Sequence, residues 1–326
     1  MEFRQLRYFV AIVNHGSVSK AAQALFVAQS ALSKQMAELE RELDCALLDR
    51  HRTGVQPTEA GRVFYDYSLA ILKQAEDAVN AVHSTSGTLR GQVDLAIPQS
   101  IALALALPLS LACSAAQPSL RLNLNEELTV HLIDQLSHGR VDFCIHTANN
   151  PLSAFQVWPL AREELCLVTP AGVRVKGGAA GVDAHTLATV PMVLSSRAND
   201  HCLRAIAEAW VREKGHAQLN VVSEINSVTI IKSAVLSGLG YTLFPRSLVE
   251  AEVKQGLLAT HRIGRQGLFR ELVICASRSL PMNANKWAIL ALVHTELRRL
   301  CASGQWPGAR YIGAHPPPTR ISPKTP

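Results

Sequence analysis

The spacing of the apolar residues changes once along the chain, near residue 90, and divides the protein into two differently built parts. Up to residue 84 the apolar residues recur every three or four positions, which is the repeat of amphipathic helices. From Gly91 onward, short apolar runs typical of buried strands alternate with helical segments. A chain of 326 residues is long enough for two or three domains. The pattern predicts a helical front part followed by an α/β part.

Three short helices are predicted in the front part. The first, Phe3–Val13, is followed by Gly16, and Ser17 is placed to cap a second helix, Val18–Leu25. After a two-residue break, a third helix runs over Ala28–Leu43. Two helices joined by so short a turn form a helix-turn-helix, which occurs in DNA-binding proteins and also in helical bundles that bind nothing.

Polar residues at the start of the third helix favour DNA as the ligand. Hydroxyl and amide side chains with one cation suit base edges and phosphates in a major groove, whereas an idle solvated face more often carries Glu–Lys pairs. Residues 1–62 contain eight Lys and Arg against seven Asp and Glu, so the position of the charges matters more than their sum. The DNA-contacting residues predicted in this motif are Ser19, Gln29, Ser30, Ser33, Lys34 and Gln35.

A hairpin is predicted between the third helix and the helix that follows it. Arg50, Arg52 and Thr53 precede Gly54, and glycine is typical of hairpin turns. An ordinary exposed hairpin would carry two arginines as well. Beside a recognition helix, these three residues are expected to contact phosphates or the minor groove.

A long amphipathic helix, capped by Thr58 and ending near Ser84, is predicted next. It would be roughly 40 Å long, which is too long to be buried on a domain of 60 residues. A second copy of the chain is the nearest partner for its apolar stripe, so the helix predicts a dimer. The stripe consists of Val63, Phe64, Tyr67, Ile71, Ala75, Ala78 and Val82.

In the α/β part, helices between short buried strands predict a parallel sheet in two similar halves, and polar residues follow several strand ends. Open α/β sheets bind ligands at this edge. Ser100 and Thr129 lie at helix starts, where free backbone N–H groups favour a carboxylate or sulfonate, although plain capping also requires a hydroxyl there. The predicted ligand is a small organic anion, aromatic or aliphatic. The predicted contacts are Gln99, Ser100, Thr129, His146, Ser196, Asn226 and Phe244.

The segment from Gly16 to Gly61 resembles the signature of the LysR-type transcriptional regulators along its whole length. The Ala-Ala pair, the Q-x-A-L-S-K core, the L-E-x-E-L segment and the final T-x-A-G occur in the family's order and spacing. By this resemblance, Gln29, Ser33 and Lys34 of the recognition helix meet DNA. Ala28 stands where the family usually has serine, so a side-chain cap of the third helix is expected to be missing.

The resemblance implies an α/β fold class with an N-terminal winged helix-turn-helix, a long linker helix and a two-lobed, periplasmic-binding-protein-like effector domain. The expected domains are 1–58 for DNA binding, 59–90 for the linker helix and hinge, and 91–302 for the effector domain. Lobe I would comprise 91–161 and 268–302, and lobe II 162–267. The expected partners are promoter DNA, a small effector and further copies of the chain in a homotetramer. RNA polymerase is a further candidate.

Other classes of function are less well supported by the sequence. An enzyme would need a nucleophile or phosphate motif such as GxSxG or a P-loop, and none is present. A transported-solute receptor would need an export signal, and the first residues show none, which favours the cytoplasm. A redox-sensing regulator that uses Cys202, at a predicted helix start, remains an alternative.

No cofactor, metal site or membrane span is expected. The seven cysteines are dispersed, with no CxxC pair, and the twelve histidines form no HExxH motif. The longest apolar run, Ile101–Cys113, is shorter than the roughly 18 residues that a membrane span requires. Residues 303–326 are rich in Pro, Gly and Arg and are predicted to be a disordered tail.

Overall fold

The computed structural model describes residues 1–51, 54–84, 89–148, 152–177, 180–196 and 203–314, with the backbone alone at residues 83 and 84. The chain divides into two compact units. The first comprises residues 1–86 and the short segment 137–140, and the second comprises residues 87–136 and 141 onward.

The first unit consists of four helices and one hairpin. Its elements are α1 (Phe3–His15), α2 (Val18–Ala24), α3 (Gln29–Glu42), β1 (Leu48–His51), β2 (Gly54–Pro57) and α4 (Glu59–Ser84). The side chain of Ser17 accepts the backbone N–H of Lys20, which confirms the predicted cap of α2. Thr58 Oγ1 accepts the N–H of Gly61 at 2.9 Å and starts α4 as predicted. Apolar residues of α1, α2 and α3 share one core with the hairpin.

Two contacts hold the hairpin against the helices. The backbone N–H of Val55 donates to the carbonyl of Gly16 at 2.8 Å. A Cβ atom on Gly54 would lie 2.7 Å from that same carbonyl oxygen, so this close approach requires glycine. On the other side, Glu40 Oε1 accepts the backbone N–H groups of Leu47 and Leu48 at 2.8 and 3.0 Å. Glu40 therefore supports the hairpin.

The second unit contains the remaining elements. They are β3 (Gly91–Pro98), α5 (Gln99–Ala116), β4 (Leu120–Glu127), α6 (Thr129–Ser137), β5 (Phe143–Thr147), β6 (Phe155–Pro170), α7 (Ala184–Thr189), β7 (Met192–Leu194), α8 (Leu203–Glu213), β8 (Val221–Glu224), α9 (Val228–Leu236), β9 (Thr242–Pro245), α10 (Glu250–Lys254), β10 (Leu258–Arg262), β11 (Leu268–Ser277), α11 (Ala284–Ala302) and β12 (Ala309–Tyr311). A single 3-10 turn, Arg246–Leu248, precedes α10.

The prediction of a parallel sheet is only partly right, because the main sheet is mixed. The order of its strands is β10-β6-β11-β5-β3-β4, and β9 and β12 also pair with β6. β3 is parallel to β4 and β5, as crossover connections through α5 and α6 require. β11 is antiparallel to both β5 and β6. The two long strands β6 and β11 therefore carry the chain between the halves in opposite directions.

Two lobes form around separate apolar cores on either side of these long strands. In lobe I, α5 and α11 pack on β3, β5 and the first half of β6. In lobe II, α7 and α8 pack on β7 and the second half of β6. Because β6 and β11 take part in both lobes, they form the double connection between them.

The prediction of a disordered tail from residue 303 is wrong for residues 303–314, which belong to the fold. β12 pairs with β6, with Tyr311 opposite Ala161. Trp306 is 1% exposed, and its indole N–H donates to Glu163 Oε1 at 2.6 Å. The composition of this segment, rich in Gly, Pro and Arg, is typical of disorder. The burial of one aromatic side chain, Trp306, is nevertheless enough to hold it on the domain. The rest of the predicted tail, 315–326, lies outside the described residues.

Among the described residues, one helix, α5, is long and apolar enough by composition to cross a membrane. One of its faces, which includes Ile101, Leu105 and Leu109, is fully buried in the core of lobe I. This face of α5 therefore packs inside a folded domain, while the opposite face is exposed.

Replacement of Trp306 tests whether the C-terminal segment is part of the fold. Trp306→Ala should lower the free energy of unfolding by about 3–5 kcal/mol, the usual cost of deleting a buried aromatic side chain. Trp306→Phe keeps most of the volume and loses only the indole hydrogen bond, so it should cost clearly less. Urea denaturation followed by circular dichroism measures both values. Equal, negligible losses would contradict the buried position of Trp306.

Candidate DNA-binding surface and effector cleft

The start of α3 presents a polar, accessible surface. Gln29, Ser30 and Lys34 are exposed, and Ser33 and Gln35 are half-buried, while Leu32 turns inward. Ala28 makes no side-chain cap at this helix, as the sequence predicted. The first N–H groups of α3 therefore have no side-chain acceptor from Ala28, and phosphate oxygens are natural partners for such groups.

Two of these side chains are held by one carboxylate. Gln35 Nε2 donates to Glu38 Oε2 at 2.7 Å, and Lys34 Nζ lies 3.9 Å from Glu38 Oε1. Lys34 remains mostly exposed, so this weak pair leaves it accessible to a phosphate.

The other predicted DNA contacts are Ser19, Arg50, Arg52 and Thr53, and the structure describes the first two. Ser19 is exposed on α2, and Arg50 is exposed on β1. Arg52 and Thr53 lie outside the described residues.

The long helix α4 has an apolar surface that its own unit leaves uncovered. Val63, Tyr67 and Val82 of the predicted stripe are more than half exposed. Phe64 instead turns inward, with its ring 5.2 Å from that of Phe9 in an edge-to-face contact. The stripe therefore begins with Val63, and Phe64 joins the core of the first unit.

A cleft with a cavity volume of about 100 Å³ lies between the two lobes of the second unit. It is located where β3 and β4 end and where α5, α6 and α9 begin. Five of the seven predicted effector contacts line it. They are Gln99, Ser100, Thr129, Asn226 and Phe244.

Two predicted contacts, His146 and Ser196, are not among the described residues that line the cleft, and in each case an immediate neighbour lines it instead. His146 is 1% exposed, and Thr147, next to it in β5, faces the cleft because side chains alternate along a strand. Ser195 lines the cleft before Ser196. The backbone N–H of Ser196 donates to Asn226 Oδ1 at 2.9 Å, so Asn226 has a positioning contact of its own.

Gln99 joins the two lobes across the cleft. Its Oε1 atom accepts the backbone N–H of Val228, in the first turn of α9, at 2.8 Å. Its Nε2 atom donates to Glu126 Oε1 at 3.0 Å. A side chain from lobe I therefore occupies a backbone donor at the start of a lobe II helix.

Arg270 lines the cleft, although it was not among the residues predicted from the sequence. It is 3% exposed, and its Nη1 atom donates to Ser100 Oγ at 2.8 Å. Its Nε atom donates to Glu163 Oε2 at 2.7 Å, in a fully buried ion pair. Ser100 is thus positioned by a cation as well as by the start of α5. An arginine at an inward-facing position of a mostly apolar strand, LFRELVICAS, was the available signal.

Two further polar groups in the cleft were also missed. Arg204 is 6% exposed and pairs with Glu208 and Glu224 at 2.8 and 2.7 Å. Burial lowers the pKa of Arg204, but its hydrogen bonds to both carboxylates outweigh that effect and raise the pKa overall. Thr242 Oγ1 is buried at the cleft wall and has no hydrogen-bond partner among the described atoms. Such an atom is a natural contact for a polar ligand.

Of the described cysteines, Cys113, Cys144, Cys166 and Cys275 are buried, as predicted, whereas Cys45 and Cys301 are only half-buried. Burial raises the pKa of Cys166 to about 12 and that of Cys301 to about 11, so both are thiols at neutral pH. Cys202, the candidate redox cysteine, lies outside the described residues. Within the described ranges, no group of His, Cys, Asp and Glu residues is suited to hold a metal ion.

A winged helix-turn-helix and a two-lobed domain with a cleft in one chain are typical of ligand-responsive DNA-binding proteins, and comparison with known proteins gives the family. Residues 3–62 match the profile described as "Bacterial regulatory helix-turn-helix protein, lysR family". Residues 86–298 match the "LysR substrate binding domain". The chain belongs to the LysR family of transcriptional regulators.

Similar proteins agree with this assignment. The nitrogen assimilation regulatory protein nac of Klebsiella aerogenes is 36% identical over 249 residues, which are 76% of this chain and 79% of that protein. The nac protein of Escherichia coli is also 36% identical, over 76% and 79% of the two chains.

Solved structures of similar fold include a full-length OxyR variant from Pseudomonas aeruginosa and full-length CbnR in complex with its target DNA. The OxyR match has a TM-score of 0.69 and 23% identity and covers 91% of this chain and 98% of OxyR. The CbnR match has a TM-score of 0.69 and 21% identity and covers 92% and 99%. At this identity, the likeness concerns the fold.

Proposed function

We propose that this LysR-family regulator binds promoter DNA through the start of α3 and the hairpin, and that a small organic anion in the cleft changes its effect on transcription. The observation that most supports DNA binding is the accessible polar surface at the start of α3. CbnR, which shares the fold, was solved with its target DNA, and this supports the same use of the motif here. A protein with this role acts on bacterial promoters in the cytoplasm, where RNA polymerase is a further candidate partner.

The anionic nature of the effector is supported by the donors that converge on the cleft. Three helices, α5, α6 and α9, begin at its wall, and helix starts favour negative charge. Arg270 adds a cation beside Ser100, and Thr242 adds a hydroxyl without a partner among the described atoms. The cavity of about 100 Å³ is small beside the roughly 300–1,000 Å³ of pockets for drug-sized ligands, which favours a small anion.

The proposed response is a change in the angle between the lobes. An anion that contacts Ser100 in lobe I and Asn226 or Thr242 in lobe II interacts differently with an open and a closed cleft. Only such differential binding can shift a conformational equilibrium. In a DNA-bound assembly, the shift would alter the bend of the promoter.

A homotetramer is proposed because the chain has two separate apolar surfaces. One is the stripe on α4. The other is a stripe on α5, where Leu103, Leu107 and Leu111 are 63–68% exposed and spaced by four residues, so that they share one face. Two different self-complementary surfaces, each with two-fold symmetry, build a dimer of dimers.

The DNA-binding surface is tested with Lys34→Ala in the full chain. Removing one cation that neutralises a phosphate should weaken DNA binding and reduce the slope of log K against log salt by about 1. Gln29→Ala should instead reduce the preference for the promoter over random DNA by about 1–3 kcal/mol, as expected when a side chain that reads a base edge is removed. Fluorescence anisotropy over a salt series measures both quantities.

Arg41→Ala is the matched control, because Arg41 is an exposed cation on α3, almost two turns beyond Lys34. It should leave the salt slope unchanged. If Arg41→Ala and Lys34→Ala have the same effect, the start of α3 is not the DNA-contacting surface.

The anion site is tested by isothermal titration calorimetry with aromatic and aliphatic carboxylates and sulfonates. The Ser100→Ala, Thr129→Val double variant should bind the best of these at least about tenfold more weakly, because it lacks two hydroxyls that donate charge-assisted hydrogen bonds. Thr295→Val, an exposed hydroxyl on α11, is the control. Unchanged binding by the double variant would exclude the anion site.

The second interface is tested by analytical ultracentrifugation. Leu107→Lys should convert tetramers into dimers, because a charge then lies at the centre of the α5 stripe. Leu257→Lys changes an exposed leucine outside both stripes and should leave the tetramer intact. A tetrameric Leu107→Lys variant would show that α5 is not part of an interface.

A further inference from the structure

A second cavity, of about 420 Å³, lies away from the cleft and is lined by β6, β11, β12 and the loops beside them. Gly308 and Arg310 contribute to it from the C-terminal segment, which follows the part of the chain that matches the family profile, 86–298. Arg162 of β6, and Gln266 and Phe269 at the start of β11, complete its polar and aromatic lining.

Two arginines on adjacent strands line this cavity. Arg310 of β12 is the direct cross-strand partner of Arg162 of β6, and both side chains are exposed. Like charges directly opposite each other in an antiparallel pair destabilise the pairing. The pairing persists because β12 is anchored at both ends. Trp306 is buried against Glu163, and the Tyr311 hydroxyl lies 2.8 Å from His294 Nδ1.

The nearby carboxylates do not neutralise this pair. Glu164 is held by Arg262, with Nε 3.0 Å from Oε1. Glu271 lies opposite Arg162 on β11, but no ion pair joins the two among the described contacts. The guanidinium of Arg162 instead lies over the ring of Phe269, 4.3 Å from its centroid, which orients the planar group. In the part of the chain that the structure describes, neither arginine has a carboxylate partner.

We propose that this cavity binds a phosphate group, as inorganic phosphate or as a small phosphomonoester, between Arg162 and Arg310. A phosphate carries a charge of about −1.5 to −2 at neutral pH and has several acceptor oxygens, so it can accept hydrogen bonds from two guanidinium groups at once. A single carboxylate compensates two cations less well. The bound phosphate would fasten β12 to β6, one of the two strands that connect the lobes, and thereby stiffen this connection.

The proposal is tested with the full chain in a phosphate-free buffer of low ionic strength. Inorganic phosphate and glycerol 3-phosphate are titrated separately, and sodium chloride is added to a third sample at matched ionic strength. Calorimetry gives Kd, and differential scanning fluorimetry gives Tm. We expect one or both phosphates to bind and raise Tm, and chloride to have no comparable effect. Binding of both identifies the phosphate group itself as the ligand, and binding of glycerol 3-phosphate alone identifies an organic phosphate.

The variants Arg162→Gln and Arg310→Gln should each weaken phosphate binding by about tenfold or more, because each removes a charge-assisted partner. Without phosphate, the Tm of Arg310→Gln should be at least that of the unchanged protein, since the repulsion between the arginines is gone. Arg121→Gln is the matched control, because Arg121 is an exposed strand arginine outside the cavity. It should bind phosphate normally.

The proposal would be overturned if neither phosphate bound, if chloride shifted Tm equally, if both cavity variants bound phosphate unchanged, or if Arg121→Gln lost binding equally. The Ser100→Ala, Thr129→Val variant separates this site from the cleft and should retain phosphate binding. Loss of phosphate binding in that variant would place the phosphate in the cleft and would also overturn the second site. The experiments can therefore contradict the proposed anion site in the cleft and the proposed phosphate site separately.

Discussion

The buried ion pair between Glu163 and Arg270 is the interaction on which the effector domain depends most. Glu163 is fully buried in β6 and accepts hydrogen bonds from Arg270, Ser247 and Trp306. One carboxylate thus connects both long strands, the turn after β9 and the C-terminal segment. Removing one member of such a pair typically costs about 3–5 kcal/mol, because the remaining charge stays buried without its partner. Through Arg270, the same carboxylate sets the position of Ser100 in the cleft.

In the DNA-binding unit, a few hydrogen bonds similarly hold the hairpin to the helices. Glu40 is bonded to the backbone at the start of the hairpin, and Gly16 is bonded to its second strand. The hairpin is therefore attached to α3 and to the end of α1. A recognition helix and a wing that are attached to the same body can engage one duplex together, because neither has to be ordered during binding.

The sequence predicted those features that depend on local patterns. The bounds of α3 and α4 were correct to within about one residue, since apolar periodicity and capping residues mark them. The mixed sheet was not predicted, because the direction of β11 depends on a partner more than a hundred residues away. Arg270 and Trp306 were missed for the same reason, as each is bonded to Glu163, more than a hundred residues away in the sequence. His146 and Ser196 were each placed one residue from the side chain that lines the cleft. The position at which a strand ends can be predicted from the sequence more easily than the face of the sheet to which a given side chain points, because successive side chains point to opposite faces.

The amide of Gln99 spans the cleft and caps α9 from the opposite lobe. The protein therefore carries an internal competitor for one of the donors that an anion would use. An incoming molecule must displace this amide before it can use that N–H group, so its apparent affinity is its intrinsic affinity multiplied by the fraction of molecules in which the N–H is free. If the cleft takes the proposed anion, this competition would raise the concentration of the anion that is needed to occupy it.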